Sequence, residues 1–200
     1  SDLYLAAEDP IREHADIGME TAEIHSMSME FFATPWYELF FKHQTKKYEV
    51  SHLEGTLNFI PYGCLVDHFQ QVVYEHPEMT PQERNEAWLK LEKRYRPYLD
   101  LEGIPFYERG AGWQRQNHIY ASPFYYIDYC LAQTVALQFW LEIEKDWDQA
   151  WVKYKEFVKR GGTDTFLGLV KGAGLTSPME DGCLRSIAEY SGKWLETHKI

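Results

Sequence analysis

The stretch METAEIHSMSMEFF, Met19–Phe32, decides how the chain is read. Ile24, Met27 or Ser28, and Phe31 recur at steps of three and four residues, the period of a helix whose apolar face packs inward. The same wheel sets Glu20, Glu23, Met27 and Glu30 on one stripe beside that face rather than opposite it. Like charges stacked on a bare helix cost about 0.2–0.5 kcal/mol per pair, and more if water is removed from them. The stripe is therefore either a solvated acidic face or a place where a metal or basic partner offsets the charge.

Working outward, the same period recurs almost everywhere. Pro35 ends or kinks the acidic helix, and Trp36 to Phe41 continue with dense apolar packing. The segment before it, up to about position 18, reads as irregular. A second helical pattern runs over 48–76 through Leu53, Leu57 and Ile60, is interrupted at Pro61 and Gly63, and resumes from Cys64 to Tyr74. Thr80-Pro81-Gln82-Glu83 combines an N-cap, a proline at the first helical position and a capping-box acid, so it opens a helix through Trp88, Leu91 and Tyr95 that stops before Pro97. The stretch 101–117 breaks the pattern and reads as a loop in which Gly110 and Gly112 allow unusual backbone angles. Ser122-Pro123 predicts a helix through Tyr126, Tyr129, Gln133, Leu137 and Trp140. Another follows over 148–159 and ends at Gly161-Gly162, then a short one over 165–170. Ser177-Pro178-Met179-Glu180 predicts the start of a terminal helix through Leu184, Ile187, Tyr190 and Trp194. Period-two alternation is almost absent. The expected fold is all-α, with at most a minor β-hairpin near the glycine loop, and 1–200 form a single helical domain without repeat or linker.

Composition bounds the function. The chain has 200 residues, 44% apolar and 16% aromatic, which is enough to build a real core and argues against disorder. A formal charge of −11 repels phosphate backbones and no basic stripe relieves it, which excludes nucleic acid as an expected partner. No segment has the roughly 18 uncharged apolar residues of a membrane span, and the first residues do not read as a signal peptide. Cys64, Cys130 and Cys183 are odd in number and contain no CxxC pair, so reduced thiols and a cytoplasmic location are expected.

Two constellations carry chemistry. Glu23 and Glu30 lie two helical turns apart on one face, a spacing that lets one touch a metal while the other orients a ligand. In QNHIYASPFYYIDY, His118 precedes a helix on which Tyr126 and Tyr129 share a face. Imidazole and phenol hydrogens donate to an oxyanion as it forms. The same residues also suit core aromatics with a surface histidine. The Gly110–Gly112 segment lacks the phosphate-loop pattern and reads as a plain turn or as a flexible loop contacting substrate. His14, His25, His43, His52, His68 and His76 form no HxxxH pair, and no GxSxG elbow or Cys-His nucleophile is present.

AEIHSMSMEFF, VDHFQQVVYEHP, the TPQERN cap, WQRQNHIY, SPFYYIDYCLAQ and GLTSPMEDG together resemble the carboxy-terminal part of the oligoendopeptidase F and thimet oligopeptidase family of zinc metallopeptidases, its Pz-peptidase-like branch in particular. The resemblance runs through nearly the whole chain. It implies that Glu23, in the E-x-x-S-x-x-x-E pattern, is the third protein ligand of a catalytic Zn2+, and that Glu30 is an acid behind the site. His118, Tyr126 and Tyr129 then match residues that bind substrate and stabilise the tetrahedral intermediate, with Tyr125 as a neighbour. Gly110 and Gly112 match a mobile loop over bound peptide. Glu20 has no implied role.

One departure qualifies all of this: the family's HExxH motif, which holds two zinc-binding histidines and the general base, is absent. By the family's spacing it belongs just upstream of Ser1, in an amino-terminal remainder of the same enzyme. The expectation is a zinc endopeptidase of short peptides when intact, and a 200-residue chain that alone neither holds zinc tightly nor cleaves peptide. A non-catalytic helical module that binds peptides or proteins is the alternative.

Overall fold

A computed structural model describes residues 1–9, 11 and 16–199. His14 lies outside the described residues. In chain order the helices are α1 (Asp2–Glu8), α2 (Met19–Phe32), α3 (Tyr37–Phe41), α4 (Thr45–Glu75), α5 (Pro81–Tyr95), α6 (Pro105–Glu108), α7 (His118–Ala121), α8 (Tyr126–Lys145), α9 (Trp147–Arg160), α10 (Phe166–Gly172) and α11 (Arg185–Thr197). Short 3-10 turns occupy Thr34–Trp36, Lys42–Gln44 and Ala111–Arg115. No strand occurs among the described residues, so the all-α expectation holds without the minor hairpin.

The described chain divides into two compact units, one of Ser1–Gly55 with Leu131–Ile200, the other of Thr56–Cys130. Both boundaries fall inside helices, α4 and α8, rather than in a linker. In the first unit α2 packs on α9, as do α1 and α10. Phe32, almost wholly buried, sits among Phe139, Trp147, Trp151 and Tyr154 with ring centroids 4.9–6.2 Å apart. Trp147 also donates its indole N–H to the Phe32 carbonyl at 3.1 Å, satisfying an acceptor near the end of α2. In the second unit Leu65, Val66, Phe69, Trp88, Leu91, Trp113, Ile119 and Tyr126 form the core. Each fully buried side chain of this kind contributes about 1.5–3 kcal/mol of transfer free energy.

Several boundaries move, each for a stated reason. The capping box is realised as read: Glu83 N–H donates to Thr80 Oγ1 at 3.3 Å and Thr80 N–H to Glu83 Oε2 at 2.7 Å. Pro61, by contrast, does not interrupt α4, which runs unbroken through it. Burial of Leu65, Val66 and Phe69 one and two turns on outweighs the lost backbone bond. Ser122-Pro123 does not start α8. Gln70, fully buried, accepts the Phe124 N–H at 2.9 Å, and Phe124 takes a left-handed backbone (φ +61), so the helix begins only at Tyr126. Likewise Ser177-Pro178 makes a turn: Ser177 Oγ accepts the Met179 N–H at 3.1 Å, Gly182 takes φ +80, and α11 begins at Arg185. The stretch 101–117 is not a plain loop but holds α6 and the Ala111–Arg115 turn, and the opening holds α1.

Candidate active site

On α2 the burial follows the predicted wheel. Thr21, Ile24, Ser28, Phe31 and Phe32 are buried, Glu20 and Glu23 half-buried, and Glu30 exposed. The stripe is therefore graded rather than uniform. Ser26, one turn on from Glu23, donates its hydroxyl to Glu23 Oε2 at 2.9 Å and to the Glu23 carbonyl at 3.0 Å. That geometry restrains the carboxylate along the helix axis and gives the serine of the E-x-x-S pattern a physical task. Glu30 is held differently. His52 Nε2 lies 2.8 Å from Glu30 Oε2, with the imidazole largely covered and the carboxylate 59% exposed. The His52 ring stacks on Tyr48 at 5.5 Å and lies 4.8 Å from Phe31, while Tyr37 donates its hydroxyl to the Glu30 carbonyl. Tyr37 stays protonated, because burial pushes its phenol upward.

His25, between the two acids, faces the core instead. Its ring nitrogens meet Tyr154 Oη at 3.1 Å and Ser1 Oγ at 2.7 Å. Burial, its largest influence, pushes His25 down to about 4, so it is neutral at ordinary pH.

The second constellation gathers around His118, which opens α7. Its ring centroid lies 5.0 Å from Tyr126, 5.8 Å from Tyr129 and 6.0 Å from Tyr125. Tyr126 and Tyr129 approach the imidazole edge-on, the arrangement aromatic quadrupoles favour. Phe59 and Tyr62 on α4 back Tyr126 at 5.8 and 5.9 Å. Burial pushes the Tyr126 phenol up, so it stays a hydrogen-bond donor across the working pH range. Gln116 lies between α4 and the imidazole: Tyr62 donates to Gln116 Oε1 at 2.8 Å, and Gln116 Nε2 sits 2.7 Å from His118 Nδ1. Behind Tyr62, the Arg96 guanidinium stands 4.8 Å over the ring and grips the buried Glu92 carboxylate at 2.6 Å, which also accepts the Trp88 indole N–H at 3.1 Å.

A cavity of about 460 Å³ opens against this cluster, lined in part by Tyr62, Arg115, Gln116, Tyr107, Gly112 and Tyr126. Gly112 reaches it because only glycine fits there: a Cβ would stand 2.7 Å from the Trp88 indole nitrogen. Gly110, in the left-handed region at φ +77, is packed on α5, where a Cβ would stand 2.1 Å from the Asn85 carbonyl oxygen. Both glycines thus have a packing task, and Gly112 alone of the pair lines the cavity.

The second unit therefore brings His118, Tyr125, Tyr126 and Tyr129 together, and the first places Glu23 and Glu30 along one helix. Reading by sequence missed His52, Gln116 and Tyr62. His52 is 22 residues from Glu30 and Tyr62 is 54 from Gln116, so no local pattern pairs them. Gln116 carried a signal, an amide two residues before a histidine.

Glu23 offers an anionic oxygen, a ligand type zinc accepts, yet among the described residues no three His, Cys, Asp or Glu side chains cluster to hold a cation. Glu23 fits as one ligand of a larger set.

The family model of peptidase family M3 matches residues 4–189, and the chain belongs to that family. Among solved structures it is similar to an oligoendopeptidase F candidate (49% identity, TM-score 0.85, 89% of this chain and 32% of that one). It is also similar to Pz peptidase A with an inhibitor (48%, 0.88, 92% and 33%) and to an oligoendopeptidase F candidate from Bacillus anthracis str. Ames (40%, 0.81, 100% and 33%). The chain spans about a third of the length of these structures. No curated protein sequence matches it.

Proposed function

We propose that the chain is the carboxy-terminal part of the catalytic domain of a zinc-dependent endopeptidase that hydrolyses short peptides in the cytoplasm. The observation carrying this reading is the enclosure of His118 by Tyr125, Tyr126 and Tyr129 within 5.0–6.0 Å. Family membership supports the metal, family membership and the similarity to a Pz peptidase with an inhibitor support the peptide substrate, and the cysteine pattern supports the compartment.

Glu23, steadied by Ser26, is the metal ligand this chain contributes, with Glu30 and His52 as the supporting pair. The chemistry supplied by zinc bound there is activation of water and polarisation of the scissile carbonyl. His118, Tyr126 and Tyr129 donate hydrogen bonds to the oxygen as negative charge develops on it, Tyr125 and Gly112 border the peptide, and Gly110 anchors the segment on α5. The absent HExxH helix must complete the ligand set and provide the base. We infer that the 200 residues alone are inactive, and stoichiometric zinc with peptidase activity in the purified chain would overturn that.

The test uses the full-length enzyme. Tyr129→Phe removes one donor while keeping the ring, so turnover is expected to fall about 10²–10³-fold with bound zinc unchanged. Unchanged turnover removes Tyr129 from the mechanism.

A further inference from the structure

His118 acts as a donor only if the ring nitrogen facing the reaction carries hydrogen. A neutral imidazole has a single N–H, and the partner of one nitrogen decides which atom holds it. Here Nδ1 lies 2.7 Å from the Gln116 side-chain nitrogen. An amide nitrogen only donates, so Nδ1 is the bare acceptor and the hydrogen belongs on Nε2.

The other end of the amide meets α4. Tyr62 donates to Gln116 Oε1 at 2.8 Å, and its phenol is kept protonated because burial, its largest influence, pushes its ionisation up. Tyr62 is fixed under Arg96, and Arg96 is fixed by two-pronged contact with Glu92, whose side chain is 5% exposed. The opposite amide orientation would set the carbonyl oxygen against Nδ1, demand hydrogen there, and leave Nε2 as an acceptor unable to stabilise an oxyanion.

We propose that Gln116, held in place by its hydrogen bond to Tyr62, is a positioning residue that keeps His118 in the Nε2–H tautomer and so makes it a hydrogen-bond donor. The inference rests on the donor role given to His118 above, but its own readout is spectroscopic.

Full-length enzyme labelled with 15N-histidine, at a pH where the ring is neutral, is expected to show His118 Nδ1 unprotonated and Nε2 protonated. Gln116→Glu replaces the donor by a carboxylate, which only accepts, and is expected to move the hydrogen to Nδ1. With it, kcat should fall about 100-fold while KM stays within about twofold, the cost of losing one oxyanion donor. Hydrogen on Nδ1 in the unmodified enzyme overturns the proposal, as does an unchanged ring in a folded Gln116→Glu variant. The measurement on the unmodified enzyme stands even if that variant fails to fold. A tautomer switch without loss of turnover supports the positioning role and instead overturns the donor role of His118.

Discussion

The acids of α2 and the cluster around His118 are built in opposite ways. Glu23 is restrained by a serine one turn away and Glu30 by one histidine, and both keep contact with solvent. His118 is the end of a chain of contacts running back through Gln116, Tyr62, Arg96 and Glu92 to the fully buried Trp88. The difference suits the roles proposed for the two groups. A metal ligand needs an exposed lone pair and is oriented further when the metal binds. A donor to a transient oxyanion must be in place before charge appears, because reorganisation at that moment costs rate.

The largest effect that tests this contrast is expected from Arg96→Ala. It strands the Glu92 carboxylate in the core and should lower stability by about 3–5 kcal/mol in urea unfolding of the full-length protein. A loss of about 1 kcal/mol or less, typical of a surface pair, would show that the scaffold behind His118 is not held this way.

His25 offers a pH test on the α2 side. Its folded value of about 4 lies below the ordinary 6.5, so as pH falls the unfolded chain takes up this proton first. Its contribution is complete above about 6.5 and declines as pH drops toward about 4. Melting temperature should fall across that window more steeply than in His25→Gln, and parallel profiles would remove His25 as the cause.

The smallest effect is expected from Ser26→Ala. It removes the Ser26 hydroxyl from the Glu23 carboxylate without disturbing the core, and in the full-length enzyme zinc affinity measured by chelator competition should weaken about tenfold, with helical circular dichroism unchanged. Unaltered affinity would make α2 more self-sufficient than its geometry implies.

Much of this was legible in order along the chain. The wheel of α2 placed Ile24, Met27 or Ser28, and Phe31 inward and the acids at the margin, the structure burying Ser28 of the two, and Thr80 with Glu83 fixed the start of α5, because both signals act within one or two turns. Helix starts at Ser122 and Ser177 failed for a related reason. A Ser-Pro pair permits a turn as readily as a cap, and the Gln70 side chain, 54 residues before Phe124, settled the first case.

By itself the sequence determined the all-α class, the acid stripe with its serine, the histidine and paired tyrosines, and through its motifs the resemblance to M3 peptidases. Only the tertiary structure decided that Glu30 meets His52, that α4 continues through Pro61, and that Tyr62 and Gln116 reach His118. Local periodicity fixes which face a residue occupies, whereas hydrogen bonds between residues far apart in sequence form only once packing has brought those faces together.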